Sequence, residues 1–266
     1  MVDLDQDQLG RYSRQILLPD VGEAGQKKLL AAKVLVIGLG GLGSPVAEYL
    51  VRAGVGTLGI VDSDSVEVSN LHRQTLFNAE DIGKKKTAAA QAYLHKINPD
   101  VKIIPHDLRL KSNNIMAIIN DYDVVVDGSD NYPTRYLIND ACVLSNKILV
   151  HGAFLRFEGQ VTVIKPRKGP CFRCLFPEPP PNGAVPSCQE AGVLGALAGV
   201  IGSIMAAEAL KLIIGIGESL VGELFVFDSL GMNFRKVKIS RNSKCPVCNE
   251  KPTIKELIDY DWFYDG

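Results

Sequence analysis

Short apolar runs alternate with helix-length segments through the first half of the chain. The runs predict buried strands at residues 34–37, 58–61, 101–104, 124–127 and 148–151. The segments between them have the apolar spacing of helices, at residues 44–53, 84–97, 112–120 and 133–145. This alternation predicts an α/β fold with a Rossmann-like, doubly wound parallel sheet and helices on both faces. An N-terminal helical arm is predicted ahead of it, within residues 1–32.

The pattern changes after Gly159. Strands predicted at residues 161–164, 224–227 and 235–239 indicate a more antiparallel portion, interrupted by a long apolar helix around 191–214. Residues 176–190 are rich in proline and predict no regular structure. We therefore expect a single domain over residues 1–266. Its predicted parts are the arm (1–32), a nucleotide-binding half (33–158), a second half (159–250) and a tail (251–266).

Composition and charge narrow the function classes. The chain has 266 residues, 46% of them hydrophobic and 22% charged, with a formal net charge of −1, as in an ordinary globular protein. Near-neutral charge argues against nucleic-acid binding, which needs clustered lysine and arginine. Residues 191–207 are uncharged, but the run is rich in glycine and alanine and ends at Glu208, which predicts a buried helix. No signal peptide is recognisable, and we expect a cytoplasmic protein without a membrane span.

A glycine-rich turn follows the first predicted strand and opens a helix. Its sequence runs Gly38-Leu-Gly40-Gly41-Leu-Gly43, and Asp62 ends the next strand. Glycines let the backbone approach a phosphate, the helix N-terminus favours an anion, and a carboxylate placed like Asp62 can bind ribose hydroxyls. This context predicts a nucleotide site, although a tight turn could by itself require the glycines.

Charged residues near this turn indicate a triphosphate. Arg73 lies in the loop 70–74, and Lys86 opens a predicted helix, whereas its neighbours Lys84 and Lys85 fit a solvated face. Cleavage of a triphosphate requires cations on the transferring and leaving phosphates. Asp127-Gly-Ser-Asp130-Asn131 ends another strand, where two carboxylates suit Mg²⁺. Asp130 or Asn131 could also cap the following helix.

The six cysteines include two CxxC pairs. Cys171 with Cys174, and Cys245 with Cys248, have the spacing of a closed, structural Zn²⁺ site, and the alternative is two unrelated structural pairs. Cys188 lies in the proline-rich segment near a predicted helix N-terminus, where a functional thiol and an incidental one are equally plausible. Cys142 fits a buried helix face. The four histidines show no ligand spacing.

These motifs together resemble one family, the MoeB/ThiF group of ubiquitin-activating-enzyme-like adenylyltransferases in bacterial sulfur transfer. The resemblance spans residues 9–248, and it includes Arg11-Tyr-Ser-Arg14-Gln-Ile near the N-terminus. It implies a homodimer that uses ATP to adenylate the C-terminal Gly-Gly tail of a small ubiquitin-like sulfur-carrier protein. The pathway would be molybdopterin or thiamine synthesis, with a sulfurtransferase or a cysteine desulfurase as the sulfur donor.

The resemblance also implies roles for individual residues. Asp62 would bind the ribose, Arg73 and Lys86 the phosphates, and Asp130 the Mg²⁺. Arg14 would reach into the partner protomer's site. Cys188 could attack the adenylate or assist sulfur delivery. Residues 159–250 would hold the carrier. The residues expected around the nucleotide are Gly38, Gly40, Gly41, Gly43, Asp62, Ser69, Asn70, Leu71, His72, Arg73, Gln74, Lys86, Asp130 and Asn131.

Other function classes share part of the pattern. An NAD-dependent dehydrogenase would explain the glycine turn and Asp62, but neither Arg73, Lys86 nor the cysteine pairs. A non-catalytic half of a heterodimeric activating enzyme would not need Arg73 and Asp130 together. A related tRNA-modifying dehydratase fits less well because of the cysteine pairs and the neutral charge. The acidic, aromatic residues 259–265 have no counterpart in shorter members of the family.

Overall fold

The computed structural model describes residues 3–181 and 191–260, and a single eight-stranded sheet runs through this part of the chain. The strands are β1 (Lys33–Ile37), β2 (Thr57–Val61), β3 (Lys102–His106), β4 (Val124–Asp127), β5 (Ile148–Leu155), β6 (Glu158–Ile164), β7 (Glu223–Asp228) and β8 (Asn233–Lys238). The helices are α1 (Gln6–Arg11), α2 (Ser13–Ile16), α3 (Gly22–Ala31), α4 (Gly43–Arg52), α5 (Lys86–Ile97), α6 (Ile115–Ile119), α7 (Tyr132–Leu144), α8 (Phe172–Leu175) and α9 (Gly195–Ile214).

The first five strands are parallel, in the order β3-β2-β1-β4-β5. Strands β1 and β4 are buried at nearly every position because helices cover both faces, which explains their uninterrupted valine, leucine and isoleucine runs. The strand order reverses direction between the neighbouring strands β1 and β4. A crevice forms at such a switch point at the carboxyl ends of the strands. The predicted parallel half is confirmed.

The remaining strands are antiparallel, from β5 to the edge strand β8. Strand β5 continues four residues beyond its predicted end at His151 and returns as β6 through a tight turn at Arg156, whose φ is +54°. The prediction ended too early because the sequence at this turn has no glycine or asparagine to mark a hairpin. The antiparallel portion is otherwise as expected, and β8 is exposed along its length.

The predicted N-terminal helix is broken into three. Helix α2 ends at Ile16 and α3 begins at Gly22, with Pro19 between them. Proline lacks the amide hydrogen that a continuing helix would use. Helix α6 is likewise shorter than predicted: it begins at Ile115, and the backbone amide of Ser112 ahead of it donates to Asp259 at 2.7 Å.

The long apolar helix α9 packs against the sheet and against α4. By length and composition it could cross a membrane, but half of its most apolar window is buried inside the protein. A Cβ at Gly202 would lie 2.4 Å from the Pro45 side chain and 2.7 Å from the Leu42 carbonyl oxygen, so small residues let the two helices approach closely. The small side chains of α9 therefore serve packing within the chain.

Candidate functional site

A cavity of about 300 Å³ opens at the carboxyl ends of β1, β2 and β4. It contains most of the charged residues that the motifs single out. Its lining comprises Ile37, Gly38, Gly40, Gly41, Leu42, Val61, Asp62, Ser63, Asp64, Arg73, Gln74, Lys86, Leu108, Arg109, Leu110, Gly128, Ser129, Asp130, Asn131, Thr134, Arg135 and Phe154.

The glycines of the first turn have two different tasks. Gly38 has φ +83°, and a Cβ at Gly43 would lie only 1.8 Å from the Gly38 carbonyl oxygen, so these two positions exclude larger residues for backbone reasons. Gly40 and Gly41 line the cavity. A Cβ at Gly40 would have the Gln74 Nε2 as its nearest neighbour, at 3.8 Å, which leaves room for a ligand against the backbone. Gly43, expected at the nucleotide, does not line the cavity.

Asp62 is held at the rim of the turn by backbone amides. Its carboxylate accepts hydrogen bonds from the Leu39 amide at 2.8 Å and from the Asp64 amide at 2.9 Å. Burial raises the pKa of Asp62, while the positive charge of Lys86 and these amide hydrogen bonds act in the opposite direction. The carboxylate thus faces the cavity in a fixed orientation, where it can accept hydrogen bonds from hydroxyl groups.

Two cations reach the cavity from different elements. The Lys86 side chain, only 7% exposed, extends from the start of α5, and its Nζ lies 3.1 Å from an Asp64 carboxylate oxygen. Arg73 Nη1 donates to the Ser69 carbonyl oxygen at 2.8 Å and lies 2.8 Å from His72 Nε2. The neighbouring Lys84 and Lys85 are half-exposed, as expected for a solvated face.

The loop that carries Arg73 is built by residues that do not themselves reach the cavity. The Asn70 side chain is buried and accepts a hydrogen bond from the Glu67 amide at 3.1 Å. Ser69, Asn70, Leu71 and His72 are absent from the lining, whereas Gln74 belongs to it. Gln74 is 3% exposed, and its Oε1 has no hydrogen-bond partner within the described residues, so it is available to a ligand.

The acidic residues Asp127, which ends β4, and Asp130, which follows it, differ sharply in exposure. Asp130 is exposed and lines the cavity, and Asn131 caps α7 by accepting a hydrogen bond from the Thr134 amide at 3.0 Å. Asp127 is fully buried, and its oxygens accept from Ser129 and bind His151. Asp127 is therefore unsuited to hold a metal, contrary to the expectation of two carboxylate ligands.

The cavity also includes residues that the sequence patterns missed. Arg109 follows β3, Phe154 lies in the unpredicted extension of β5, and Arg135 lies one turn into α7. Arg135 Nε and Nη2 donate to the Ser129 carbonyl oxygen at 3.4 and 3.1 Å. The only sequence signal for Arg135 is its position four residues after Asn131, on the first turn of a helix at a strand end.

A second groove continues from the cavity across the antiparallel strands. It has a volume of about 190 Å³ and shares Asp130, Arg135 and Phe154 with the cavity. Its other lining residues are Tyr132, Ala153, Leu155, Glu158, Gly159, Gln160 and Val226. The groove and the cavity therefore adjoin at the three residues that they share.

Arg14 and Cys188 are the remaining predicted site residues. Arg14 is exposed on α2 and does not line the cavity of its own chain. Cys188 lies outside the described residues. Cys142 is fully buried, as expected for a core residue, and burial raises the pKa of its thiol.

The two CxxC pairs come together although 74 residues separate them. The Sγ atoms of Cys171, Cys174, Cys245 and Cys248 all lie within 4.8 Å of one another, and these residues could hold a metal ion. Cys171 and Cys245 Sγ are 3.5 Å apart, and Cys174 and Cys248 Sγ are 3.4 Å apart, far beyond the ~2.05 Å of a disulfide bond. Hydrogen bonds within the cluster lower the pKa of Cys174 and Cys245 and raise the pKa of Cys171 and Cys248, so the four thiols ionise as one interacting group.

Comparisons with known proteins agree with this arrangement. A sequence profile of the ThiF family matches residues 12–247. The chain is 54% identical over 262 residues to the sulfur carrier protein adenylyltransferase of Thermus thermophilus, covering 97% of both proteins. It is 49% identical to the adenylyltransferase and sulfurtransferase MOCS3 of Anopheles gambiae, covering 98% of this chain but only 59% of that protein.

Solved structures share the fold at lower identity. A crystal structure of Escherichia coli MccB with MccA-N7isoASN superposes with a TM-score of 0.81 at 24% sequence identity. The superposition covers 91% of this chain and 75% of the MccB chain.

Proposed function

The chain belongs to the ThiF family, and from this membership we propose that it is an adenylyltransferase that activates the C-terminal carboxylate of a small ubiquitin-like sulfur-carrier protein with ATP. The full-length match to a relative named for this activity supports the proposal. The chain spans about three fifths of the MOCS3 relative, so the sulfurtransferase activity in that name is not carried over. Molybdopterin or thiamine synthesis in the cytoplasm is the proposed setting.

The observation that carries the proposal is the combination of groups at the cavity. The glycine turn gives the phosphates a close backbone approach, Asp62 can accept ribose hydroxyls, and Arg73 and Lys86 supply positive charge. Asp130, an exposed carboxylate on the same cavity, is the residue suited to Mg²⁺, which takes one or two carboxylates together with phosphate oxygens. An NAD-dependent dehydrogenase would leave this set of cations and Asp130 without a role.

The reaction needs positioning and charge neutralisation. A carboxylate oxygen of the carrier's terminal glycine attacks the α-phosphorus of ATP, forming an O–P bond while the bond to pyrophosphate breaks. No general base is required, because a terminal carboxyl group with a pKa of ~3.5 is already ionised. Arg73 and Lys86 would stabilise the charge on the phosphates, and bound Mg²⁺ would neutralise charge on the phosphate oxygens.

The second groove suits the extended end of the carrier. It adjoins the cavity at Asp130 and Arg135, and its lining includes the small residues Ala153 and Gly159. A Gly-Gly tail is narrow enough to lie in such a groove. The carrier's terminal carboxylate would then meet the α-phosphate at the junction of groove and cavity.

Further parts of the proposal concern Arg14, Cys188 and the cysteine cluster. Arg14 is exposed and away from its own cavity, which suits a role in the site of a partner protomer in a homodimer. Cys188 is proposed to accept the activated carrier or to assist sulfur delivery from a sulfurtransferase or a cysteine desulfurase. The four clustered thiols fit a tetrahedral Zn²⁺ that stabilises the fold, since no position is open for substrate.

The proposed function is tested by carrier-dependent exchange of labelled pyrophosphate into ATP, using candidate ubiquitin-like carriers. We expect exchange with at least one carrier and its loss in Arg73→Ala and Asp130→Ala, because both side chains face the reacting phosphates. Lys84→Ala is the matched control, since Lys84 is an exposed lysine that contacts Asp81 and does not line the cavity. Undiminished exchange in either cavity variant would contradict the assignment. Absence of exchange with every carrier would favour a non-catalytic half.

A further inference from the structure

A buried aspartate–histidine pair lies directly behind the turn that carries Asp130. Asp127, at the end of β4, and His151, in the neighbouring strand β5, are register partners in the sheet. Asp127 is fully buried and His151 is 3% exposed. His151 Nδ1 lies 2.8 Å from Asp127 Oδ2. The proposed adenylation uses neither side chain.

Asp127 shapes the turn that follows it. Its Oδ1 accepts hydrogen bonds from the Ser129 amide at 2.9 Å and from the Ser129 hydroxyl at 2.6 Å. The Ser129 carbonyl oxygen is held from the other side by Arg135. With Ser129 held on both sides, the backbone enters Asp130 in a defined direction, toward the cavity.

His151 is an unusual choice for this position. Its Nε2 is buried without a hydrogen-bond partner within the described residues, and its ring packs against the edge of Phe172 at a centroid distance of 4.9 Å. A buried, unpaired polar atom is unfavourable, and an apolar side chain would avoid it. The hydrogen bond from Nδ1 to the Asp127 carboxylate is the feature that an apolar residue could not supply.

We propose that Asp127 and His151 are positioning residues for the adenylation reaction. Together they hold the Gly128–Ser129 turn and thereby fix the place of the Asp130 carboxylate in the cavity. His151 holds Oδ2 of Asp127 from β5, and this keeps Oδ1 oriented toward the amide and the hydroxyl of Ser129. The inference rests on the proposed function, in which Asp130 holds Mg²⁺.

Two substitutions of His151 separate the hydrogen bond from the volume of the side chain. His151→Leu fills the space without a donor, whereas His151→Asn offers an amide nitrogen near the position of Nδ1. We expect His151→Leu to lower kcat for pyrophosphate exchange about 10- to 100-fold and to raise the Mg²⁺ concentration needed for half-maximal exchange. His151→Asn should restore most of both quantities. Binding of AMP, measured by calorimetry without Mg²⁺, should stay unchanged because Asp62 and the glycine turn are untouched.

Leu149→Ala provides the matched structural control. Leu149 lies on the same face of β5, is 1% exposed and does not contact Asp127 by any hydrogen bond. We expect this variant to lower the melting temperature without changing the Mg²⁺ requirement. If His151→Leu behaves like Leu149→Ala, or if His151→Asn is as impaired as His151→Leu, the pair is part of the core only and the inference is wrong.

A second measurement does not depend on the carrier. Binding of Mn²⁺ in the presence of ATP, followed by electron paramagnetic resonance, should be weaker in His151→Leu and near normal in His151→Asn. Unchanged Mn²⁺ affinity in His151→Leu would overturn the inference. If Mn²⁺ binding is weaker in His151→Leu but no carrier supports exchange, the role of the pair in placing Asp130 is supported and the proposed function is not. Should His151→Leu not fold, Ser129→Ala removes one hydrogen bond to Asp127 and should weaken Mn²⁺ binding by a smaller factor.

Discussion

Polar side chains near the cysteine cluster and polar side chains at the cavity differ in their hydrogen bonding. Around the cluster, Arg173 donates two hydrogen bonds of 2.8 Å to Asp140 and lies over the rings of Tyr136 and Tyr260, at 4.6 and 5.7 Å from their centroids. At the cavity, Asp130 is exposed and Gln74 keeps a buried oxygen without a partner among the described residues. Arg173, Asp140 and the two tyrosines near the cluster therefore contact one another, whereas Asp130 and Gln74 at the cavity retain bonding capacity for a ligand.

The hydrogen-bonded region around the cluster also includes the last described residues of the chain. Asp259 accepts hydrogen bonds of 2.7 Å from both the amide and the hydroxyl of Ser112. Tyr260 is 7% exposed, and its hydroxyl oxygen accepts a hydrogen bond from Arg173. Changes in the two regions should therefore have separable consequences, with stability affected at the cluster and catalysis at the cavity.

Loss of the proposed Zn²⁺ should produce the largest effect. We expect Cys245→Ser, or treatment with a chelator, to lower the melting temperature by at least about 10 °C, because bound metal contributes directly to the free energy of folding. Metal content by mass spectrometry and melting curves provide the measurement. Cys142→Ala is the control, since that buried thiol lies outside the cluster and its loss should leave the metal content unchanged. If the metal-free protein keeps its melting temperature, the cysteine cluster does not have the stabilising role that distinguishes it from the cavity.

Neutralising a cation of the cavity should affect the rate and spare the fold. Lys86→Met keeps the length of the side chain but removes its charge, and we expect about a 100-fold loss of pyrophosphate exchange because the phosphates lose a stabilising cation. The melting temperature should change little, since the Lys86 ion pair with Asp64 involves an exposed partner. Lys84→Met should be neutral in both assays. A large fall in the melting temperature of Lys86→Met would contradict the expected separation of catalysis at the cavity from stability at the cluster.

The smallest effect is expected at the attachment of the C-terminal segment. Asp259→Ala removes two hydrogen bonds to Ser112, and we expect a loss of about 1–3 kcal/mol in the free energy of unfolding with normal exchange activity. Denaturant melts give the first quantity and the exchange assay the second. Glu256→Ala, at an exposed position of the same segment, should leave both unchanged. Impaired exchange in Asp259→Ala would mean that the segment also serves catalysis.

The order of the elements and the family could be predicted from the sequence. Strands such as β4 are continuous apolar runs because they are buried on both faces. Such a run can be recognised in the sequence without knowing which strands lie beside it. The glycine turn is equally recognisable, since Gly38 and Gly43 are required by backbone geometry that lies within a few residues. Asp62, Arg73, Lys86 and Asp130 are expected at one cavity, and all four line it.

Other features depend on contacts that sequence spacing does not reveal. By sequence Asp127 is as suitable for a metal as Asp130, and only the folded structure shows that its oxygens are used by Ser129 and by His151 of β5. The role of Gly43 in packing, rather than in the cavity, also emerges only from the folded turn. Phe154 is missed because the β5–β6 hairpin lacks the usual turn residues.

The sequence by itself determined the succession of strands and helices, the glycine turn and the chemical character of the residues after each strand. These depend on local periodicity and on backbone conformations that a few neighbouring residues impose. Only the tertiary structure decided which carboxylate faces the cavity, which histidine supports it, and that the two CxxC pairs form one cluster and not two separate pairs. Those outcomes depend on strand register and on burial, which bring distant side chains within hydrogen-bonding distance.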